Sequence, residues 1–136
     1  MMFDGRSVLS LNIQKYENRN LLDFLSANNF NVQKKTLSKQ KEKTEKYNSY
    51  SAILVFVKNI NPEVLDLLRE MRAKHNGAVV VICKKDREIK LNEDKVILSG
   101  ADVLFSNAGN PNVLIAYIKS VLKRTELRLV SSATSV

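Results

Sequence analysis

Cysteine and histidine, two residues that carry much of enzyme chemistry, each occur once in these 136 residues, as Cys83 and His75. One cysteine cannot form an intramolecular disulfide, and a structural zinc site needs about four cysteine or histidine ligands. The neighbouring Lys84 and Lys85 could lower the pKa of the Cys83 thiol. A cysteine at the end of an apolar run is more often buried and inert, and this is the interpretation we favour.

Other patterns that support catalysis are missing from the sequence. No G-x-S-x-G nucleophile elbow occurs. The four glycines, Gly5, Gly77, Gly100 and Gly109, are scattered instead of forming a phosphate-binding loop. We therefore expect no enzyme activity, no metal and no cofactor. His75 lies near a predicted helix end, where we expect it to face solvent and interact with the helix dipole.

Positive charge dominates the chain, with 22 lysines and arginines against 14 acidic residues and a net charge of +8. Such a balance favours acidic partners such as nucleic acid, anionic lipid or an acidic protein surface. Six of the lysines lie in residues 34–46 (KKTLSKQKEKTEK). This segment could bind anions, but a solvated second helix or loop is the simpler interpretation, because aromatic residues for base stacking are not interleaved with the lysines.

Apolar runs predict five strands, at residues 7–13, 30–37, 50–57, 78–83 and 103–106. Helices are predicted between and after these runs, with Asn-Pro pairs as capped starts at Asn61-Pro62 and Asn110-Pro111. Asn28-Asn29 and Gly77 are expected to end helices in the left-handed conformation. No apolar run is long enough to cross a bilayer, and residues 1–6 do not resemble a signal peptide, so we expect a cytoplasmic protein without a membrane partner.

Five strand–helix units in succession predict an α/β fold, with a parallel five-stranded sheet between two layers of helices. The flavodoxin-like strand order 2-1-3-4-5 is the commonest at this length, and it makes the three most apolar runs central. We assign residues 1–125 to this domain and residues 126–136 to an extension of the last helix and a linker-like tail. A further output domain could follow the tail.

Several segments, taken in order, resemble the receiver domain of two-component response regulators. Residues 6–25 resemble its first strand and helix, and 50–57 with the following proline-opened helix resemble its third strand and helix. Gly100-Ala101-Asp102 resembles the Gly-Ala-Asp that precedes the fifth receiver strand, and 110–123 resemble the last helix. The resemblance covers about residues 6–124, and it implies the (βα)5 receiver fold.

Receivers carry acidic residues after the first strand, a phosphate-accepting Asp at the end of the third, a Ser or Thr after the fourth and a Lys after the fifth. The matching positions here carry none of these side chains. They fall at Asn12 and Ile13 (or Ile13 and Gln14), Phe56, Cys83 and Asn107, and the aromatic switch position of the fifth strand falls at Leu104. A phenyl ring can neither attack a phosphoryl group nor bind Mg²⁺, and residues 53–57 contain no acid.

The resemblance thus implies a degenerate pseudo-receiver whose phosphorylation pocket is vestigial. We expect it to act in signal transduction without phosphorylation, by binding a protein partner or output domain or by forming a dimer. Receivers commonly use their fourth helix, fifth strand and fifth helix for such contacts, and the matching region here is 91–123. The alternative function is a basic module that binds nucleic acid or another polyanion.

Overall fold

The computed structural model describes residues 7–36, 47–107 and 109–134. These contain five strands, four α-helices and one 3-10 turn. In chain order they are β1 (Ser7–Asn12), α1 (Arg19–Ala27), β2 (Asn31–Thr36), the turn (Tyr47–Ser49), β3 (Ala52–Val57), α2 (Pro62–Lys74), β4 (Ala78–Cys83), α3 (Asp86–Leu98), β5 (Val103–Ser106) and α4 (Pro111–Thr134).

All five strands pair in parallel in the order β2-β1-β3-β4-β5, which confirms the predicted fold and strand order. Every residue of β3 and β4 is buried, as expected for central strands covered on both faces. Five of the six residues of β2 are exposed, because this strand lies at the edge of the sheet. The helix or loop predicted for the lysine-rich segment falls mostly on residues 37–46, outside the described residues.

Alternation along the strands divides the core into two layers. On one face Leu9, Val55 and Val81 pack with α2 and α3. On the other, Leu54 and Phe56 pack with α1 and α4. Fully burying one such side chain contributes roughly 1.5–3 kcal/mol, so the two layers together supply most of the driving force for folding.

Asparagine side chains cap the starts of α1, α2 and α4, and the sequence predicts the second and third of these caps. The Oδ1 atom of Asn18 accepts a hydrogen bond from the backbone N–H of Leu21 at 3.1 Å. Asn61 does the same for Val64 at 3.0 Å, immediately before Pro62. Each cap satisfies a donor that has no partner within its helix. At the end of α1, Asn29 has φ +69°, which confirms the predicted left-handed residue there.

The Gly-Ala-Asp segment joins α2, β4 and β5 at the amino edge of the sheet. Arg72 donates from Nε to the carbonyl of Gly100 at 2.8 Å and forms an ion pair with Asp102 at 2.7 Å. The same Asp102 carboxylate accepts a hydrogen bond from the backbone N–H of Val79 at 2.7 Å. The segment therefore has a structural role, remote from the carboxyl ends of the strands.

Gly77 and His75 differ from expectation. Gly77 has no positive φ, so the prediction of a left-handed cap is wrong. A Cβ atom at Gly77 would lie 2.3 Å from the carbonyl oxygen of Ser51, so glycine is required there for close packing. His75 was expected to face solvent, but its exposure is only 2%, and its ring packs against Gly77.

Burial lowers the pKa of His75, and the positive charge of Arg72 adds to this effect. The backbone near Ala78 and Tyr47 and the carboxylate of Asp102 oppose it. Neither ring nitrogen makes a hydrogen bond of good geometry within the described part of the chain. The neutral imidazole is therefore the form that the folded protein favours.

Stability is expected to fall as the pH is lowered through the His75 range. In the unfolded chain His75 binds a proton at a pKa near 6.5, whereas in the folded chain its pKa is lower. The free energy of unfolding is therefore at its full value above about pH 6.5 and declines below that pH. Urea unfolding between pH 8 and pH 5 measures this decline. In His75→Phe the decline over that range should be clearly smaller, and an equal decline in both proteins would contradict the assignment.

Candidate functional site

The carboxyl edge of the sheet gathers the ends of four strands, and this is where ligands bind in open α/β folds. Asn12, at the end of β1, is paired with Phe56 of β3. Cys83, at the end of β4, is paired with Val57, and its carbonyl accepts a hydrogen bond from the backbone N–H of Asn107 at 2.9 Å. The predicted positions after β1, β3, β4 and β5 therefore all lie along this edge.

Their side chains do not all meet, because the pleat sends them to different faces. Phe56 belongs to the layer with α1 and α4 and is fully buried. Cys83 and Leu104 belong to the opposite layer, with α2 and α3, and Ile13 packs against that layer. The sheet thus separates Phe56 from Cys83, and the predicted pocket residues are not one continuous cluster.

Tyr16 connects the positions that do come together. Its ring contacts Phe56 edge-on, with centroids 6.0 Å apart. Its hydroxyl donates to Oδ1 of Asn107, which also accepts a hydrogen bond from Nδ2 of Asn18 at 2.9 Å. The backbone N–H of Tyr16 in turn donates to Oδ1 of Asn12 at 2.9 Å. An aromatic ring and amide groups thus occupy the edge between β1, β3 and β5.

Gln14 ties the loop after β1 to the loop after β3. Its Oε1 accepts hydrogen bonds from the backbone N–H groups of Lys58 and Asn59, at 2.5 Å and 3.0 Å. Its Nε2 donates to the carbonyl of Asn59 at 3.0 Å. Between Gln14 and Tyr16 the chain turns through Lys15, whose φ of +54° is in the left-handed region. Three side-chain hydrogen bonds therefore fix the two loops relative to each other.

The importance of Tyr16 and Gln14 was missed in the sequence. Both lie in the loop after β1, where the positions that match the receiver acids, Gln14 among them, carry no carboxylate. The available signal was a tyrosine four residues after the end of a buried strand, at a sheet edge that offers amide partners. No spacing rule indicated that its ring would reach Phe56 and Asn107.

Two carboxylates in the first turn of α3 are hydrogen bonded at this edge. Asp86, in the first turn of α3, accepts a hydrogen bond from the hydroxyl of Ser106. Glu88, in the same turn, accepts from the backbone N–H of Ile60 at 3.3 Å and from Nδ2 of Asn92 at 3.1 Å. Within residues 7–36, 47–107 and 109–134, no three Cys, His, Asp or Glu side chains lie close enough together to hold a metal ion.

A cavity of about 330 Å³ lies between the starts of α1 and α4. Its floor is apolar and its rim carries amide side chains. The lining includes Asn18, Asn20, Leu21, Phe24, Ile82, Phe105, Asn107, Asn110 and Leu114. The ring of Phe105 makes an edge-on contact with the ring of Tyr117, with centroids 6.0 Å apart. The volume is at the lower end of the range for small-molecule pockets.

Burial raises the pKa values of both ionisable groups at the centre of the site. For the Tyr16 phenol, desolvation is the main cause and the nearby Cys83 adds to it. For the Cys83 thiol, desolvation and the acidic groups Glu88 and Asp86 outweigh the opposing effect of Lys85. Because both groups stay protonated near neutral pH, neither is suited to act as a nucleophile or a base there.

Cys83 should therefore react very slowly with a disulfide reagent while the protein is folded. Its side chain is fully buried, and its Sγ atom contacts the carbonyl oxygens of Lys58 at 3.8 Å and Lys85 at 3.5 Å. We expect the rate at pH 8 to rise at least about 100-fold in denaturing urea, because unfolding restores the thiolate and its exposure. Absorbance of the released thiolate reports this rate, and equal rates would contradict the buried assignment.

Solved structures that are similar to this chain include receiver domains. A response regulator receiver domain protein (CheY-like) from Methanospirillum hungatei JF-1 superposes with a TM-score of 0.69 at 16% identity, covering 90% of this chain and 98% of the other. The receiver domain of the Francisella response regulator 1452 gives 0.67 at 19% identity, with 88% and 98% covered. The chain has the receiver fold.

A third structure places the receiver fold inside a longer protein. NtrX from Brucella abortus, crystallised in complex with ADP, gives a TM-score of 0.74 at 16% identity. The alignment covers 93% of this chain but only 28% of NtrX. No protein-family model and no curated protein sequence matches the chain. In the described residues, no helix is long and apolar enough to cross a membrane.

Proposed function

We propose that this chain is a receiver-like signalling domain that works without phosphorylation, through contact with a second protein surface. The observation that carries the proposal is the chemistry at the end of β3. Phe56, Val57 and Lys58 occupy the last two positions of the strand and the first position after it, and none is a carboxylate. A phosphoryl acceptor at this place needs a nucleophilic oxygen, and none of the three side chains offers one.

The loop after β1 supports the same proposal. A hard cation such as Mg²⁺ binds through oxygen ligands, mainly carboxylates, in proteins. Here the positions that match the receiver acids carry amide or apolar side chains, and the first carboxylate of the loop is Glu17. The Oδ1 atoms of Asn12 and of Asn107, which follows β5, already accept hydrogen bonds from Tyr16. The edge-on contact between Tyr16 and Phe56 adds a ring where a metal and a phosphoryl group would need space.

The surface of α3, β5 and α4 is the region we propose for protein contact. Leu91 and Leu98 are seven residues apart on α3, so they lie on one side of the helix. Their exposures are 62% and 85%, and Val113 at the start of α4 is 54% exposed. Apolar side chains that cluster on a surface favour association, because burial removes them from water. We assign this surface to contact with a second copy of the chain.

Sedimentation equilibrium tests this assignment. We expect the wild-type protein to form dimers whether or not beryllofluoride and Mg²⁺ are present, since Phe56, Val57 and Lys58 offer no carboxylate to hold beryllofluoride. The double variant Leu91→Glu/Leu98→Glu should be monomeric, because paired charges would have to be buried in the interface. The control Ala73→Glu changes an exposed residue of α2, and this variant should stay dimeric. Dimers that form only with beryllofluoride would contradict the proposal.

A further inference from the structure

Five lysines line the carboxyl edge of the sheet across four neighbouring strands. Lys35 is the penultimate residue of β2, Lys15 lies in the loop after β1, and Lys58 follows β3. Lys84 and Lys85 follow β4. Four of the five are exposed and Lys58 is half-buried. We call this group the lysine row.

Contacts between the loops hold much of the row in place. The hydrogen bonds from Lys58 and Asn59 to Gln14 fix the loop after β3 against the loop that carries Lys15. The Nζ atom of Lys85 donates to the side chain of Asn59 at 3.3 Å. The Nζ atom of Lys84 lies 5.7 Å from the centroid of the Tyr16 ring. The positive charges are therefore arranged by the fold and are not a disordered run.

Three carboxylates lie near the row in the part of the chain that the structure describes. Glu17 shares the loop after β1 with Lys15, while Asp86 and Glu88 begin α3. The two residues of α3 are hydrogen bonded to Ser106, Ile60 and Asn92, as described above. Among the described residues at this edge, five lysines stand against three carboxylates, on a chain whose net charge is +8.

We propose that the lysine row binds the phosphate backbone of duplex nucleic acid without reading its sequence. Adjacent strands are about 4.8 Å apart, so a row across four strands extends over about 15 Å. One strand of a duplex presents a phosphate about every 3.4 Å along the axis, so the row faces about four phosphates. The proposal goes beyond the signalling function and does not depend on it.

The side chains around the row favour this ligand over an acidic protein. Protein interfaces are organised around buried apolar or aromatic anchors. The large apolar side chains that are exposed in the described residues, Leu91, Ile97, Leu98 and Val113, lie on α3 and α4 and not on the loops of the row. Tyr16 is half-buried beneath Lys84, so it offers no free face for a base to stack on.

Fluorescence anisotropy with a labelled mixed-sequence DNA duplex of about 20 base pairs tests the proposal. The logarithm of the binding constant should fall linearly with the logarithm of the salt concentration, with a slope of about −4 for four phosphates. Changing all five lysines of the row to glutamine should weaken binding at least about tenfold in low salt and make the slope shallower. Changing them to arginine should preserve binding, because the positive charge remains.

A second variant controls for net charge. Changing Lys74, Lys90, Lys95, Lys119 and Lys123 to glutamine removes the same charge from exposed positions on α2, α3 and α4. This variant should retain affinity within about threefold, and thermal melting should show that all variants are folded. Equal loss in both glutamine variants would overturn the proposal. Equally tight binding of polyglutamate would also overturn it, and would indicate an acidic protein as the ligand.

Discussion

Replacing Phe56 with alanine is expected to lower the free energy of unfolding by about 3–5 kcal/mol. Phe56 is fully buried in a central strand, with its ring against Tyr16 and the layer formed by α1 and α4. Alanine removes the ring and leaves a cavity that the rigid sheet cannot close. Urea denaturation followed by circular dichroism measures this loss of stability. In the variant, Tyr16 should keep its hydrogen bond to Asn107.

Phe24→Ala provides the matched control for this experiment. Phe24 packs against the same layer, but it is only half-buried and lines the open cavity beside α1. Its removal should cost clearly less than the removal of Phe56, because part of the ring is already in contact with solvent. Equal losses for the two variants would show that Phe56 does not have the structural role assigned to it here.

Replacing Gly100 with alanine is expected to cost about 2–6 kcal/mol, for two additive reasons. Gly100 has φ +123°, where a side chain is strained by about 1–3 kcal/mol. A Cβ atom there would also lie 2.6 Å from the Cβ of Arg72, and such overpacking costs roughly another 1–3 kcal/mol. Any displacement that relieves this contact would also disturb the hydrogen bond from Arg72 to the Gly100 carbonyl. Thermal and urea unfolding of the variant measure the combined effect.

Gly109 offers the corresponding control at the other edge of the sheet. It has no positive φ, and the nearest atom to an added Cβ would be the carbonyl oxygen of Ser106 at 3.1 Å. Gly109→Ala should therefore change the free energy of unfolding by less than about 1 kcal/mol in either direction. A Gly100→Ala variant as stable as Gly109→Ala would exclude the proposed strain at Gly100.

Much of the architecture could be predicted because its determinants are local. The run AVVVIC matches β4 to the residue, and the predicted helix start at Asn61-Pro62 is present with its capping hydrogen bond. Central strands buried on both faces produce continuous apolar runs, and helix caps need particular side chains. Both kinds of signal can therefore be recognised in a single sequence, without comparison with relatives.

The failures concern contacts between residues that are distant in the chain. His75 is polar and near a helix end, so exposure was expected, yet it is buried with its ring against Gly77. Gly77 is explained by the approach of the Ser51 carbonyl across the sheet, not by its own backbone angles. Long-range packing of this kind leaves no periodic pattern in the sequence.

The candidate site was predicted in its location but not in its composition. The positions Asn12, Phe56, Cys83 and Asn107 lie along one edge of the sheet because parallel strands end together there. The pleat then places Phe56 and Cys83 on opposite faces, and Tyr16 enters from a loop. Strand polarity can be inferred from sequence order, whereas the path of a loop side chain cannot.

Intact-mass spectrometry after incubation with acetyl phosphate and Mg²⁺ is the most direct test of the absence of phosphorylation. A phosphorylatable receiver domain, treated in parallel, shows that the reagent is active. We expect that control to gain the mass of one phosphoryl group and this chain to remain unmodified, since Phe56, Val57 and Lys58 offer no carboxylate. A phosphoryl group on an aspartate of this chain, for example Asp86, would contradict the account.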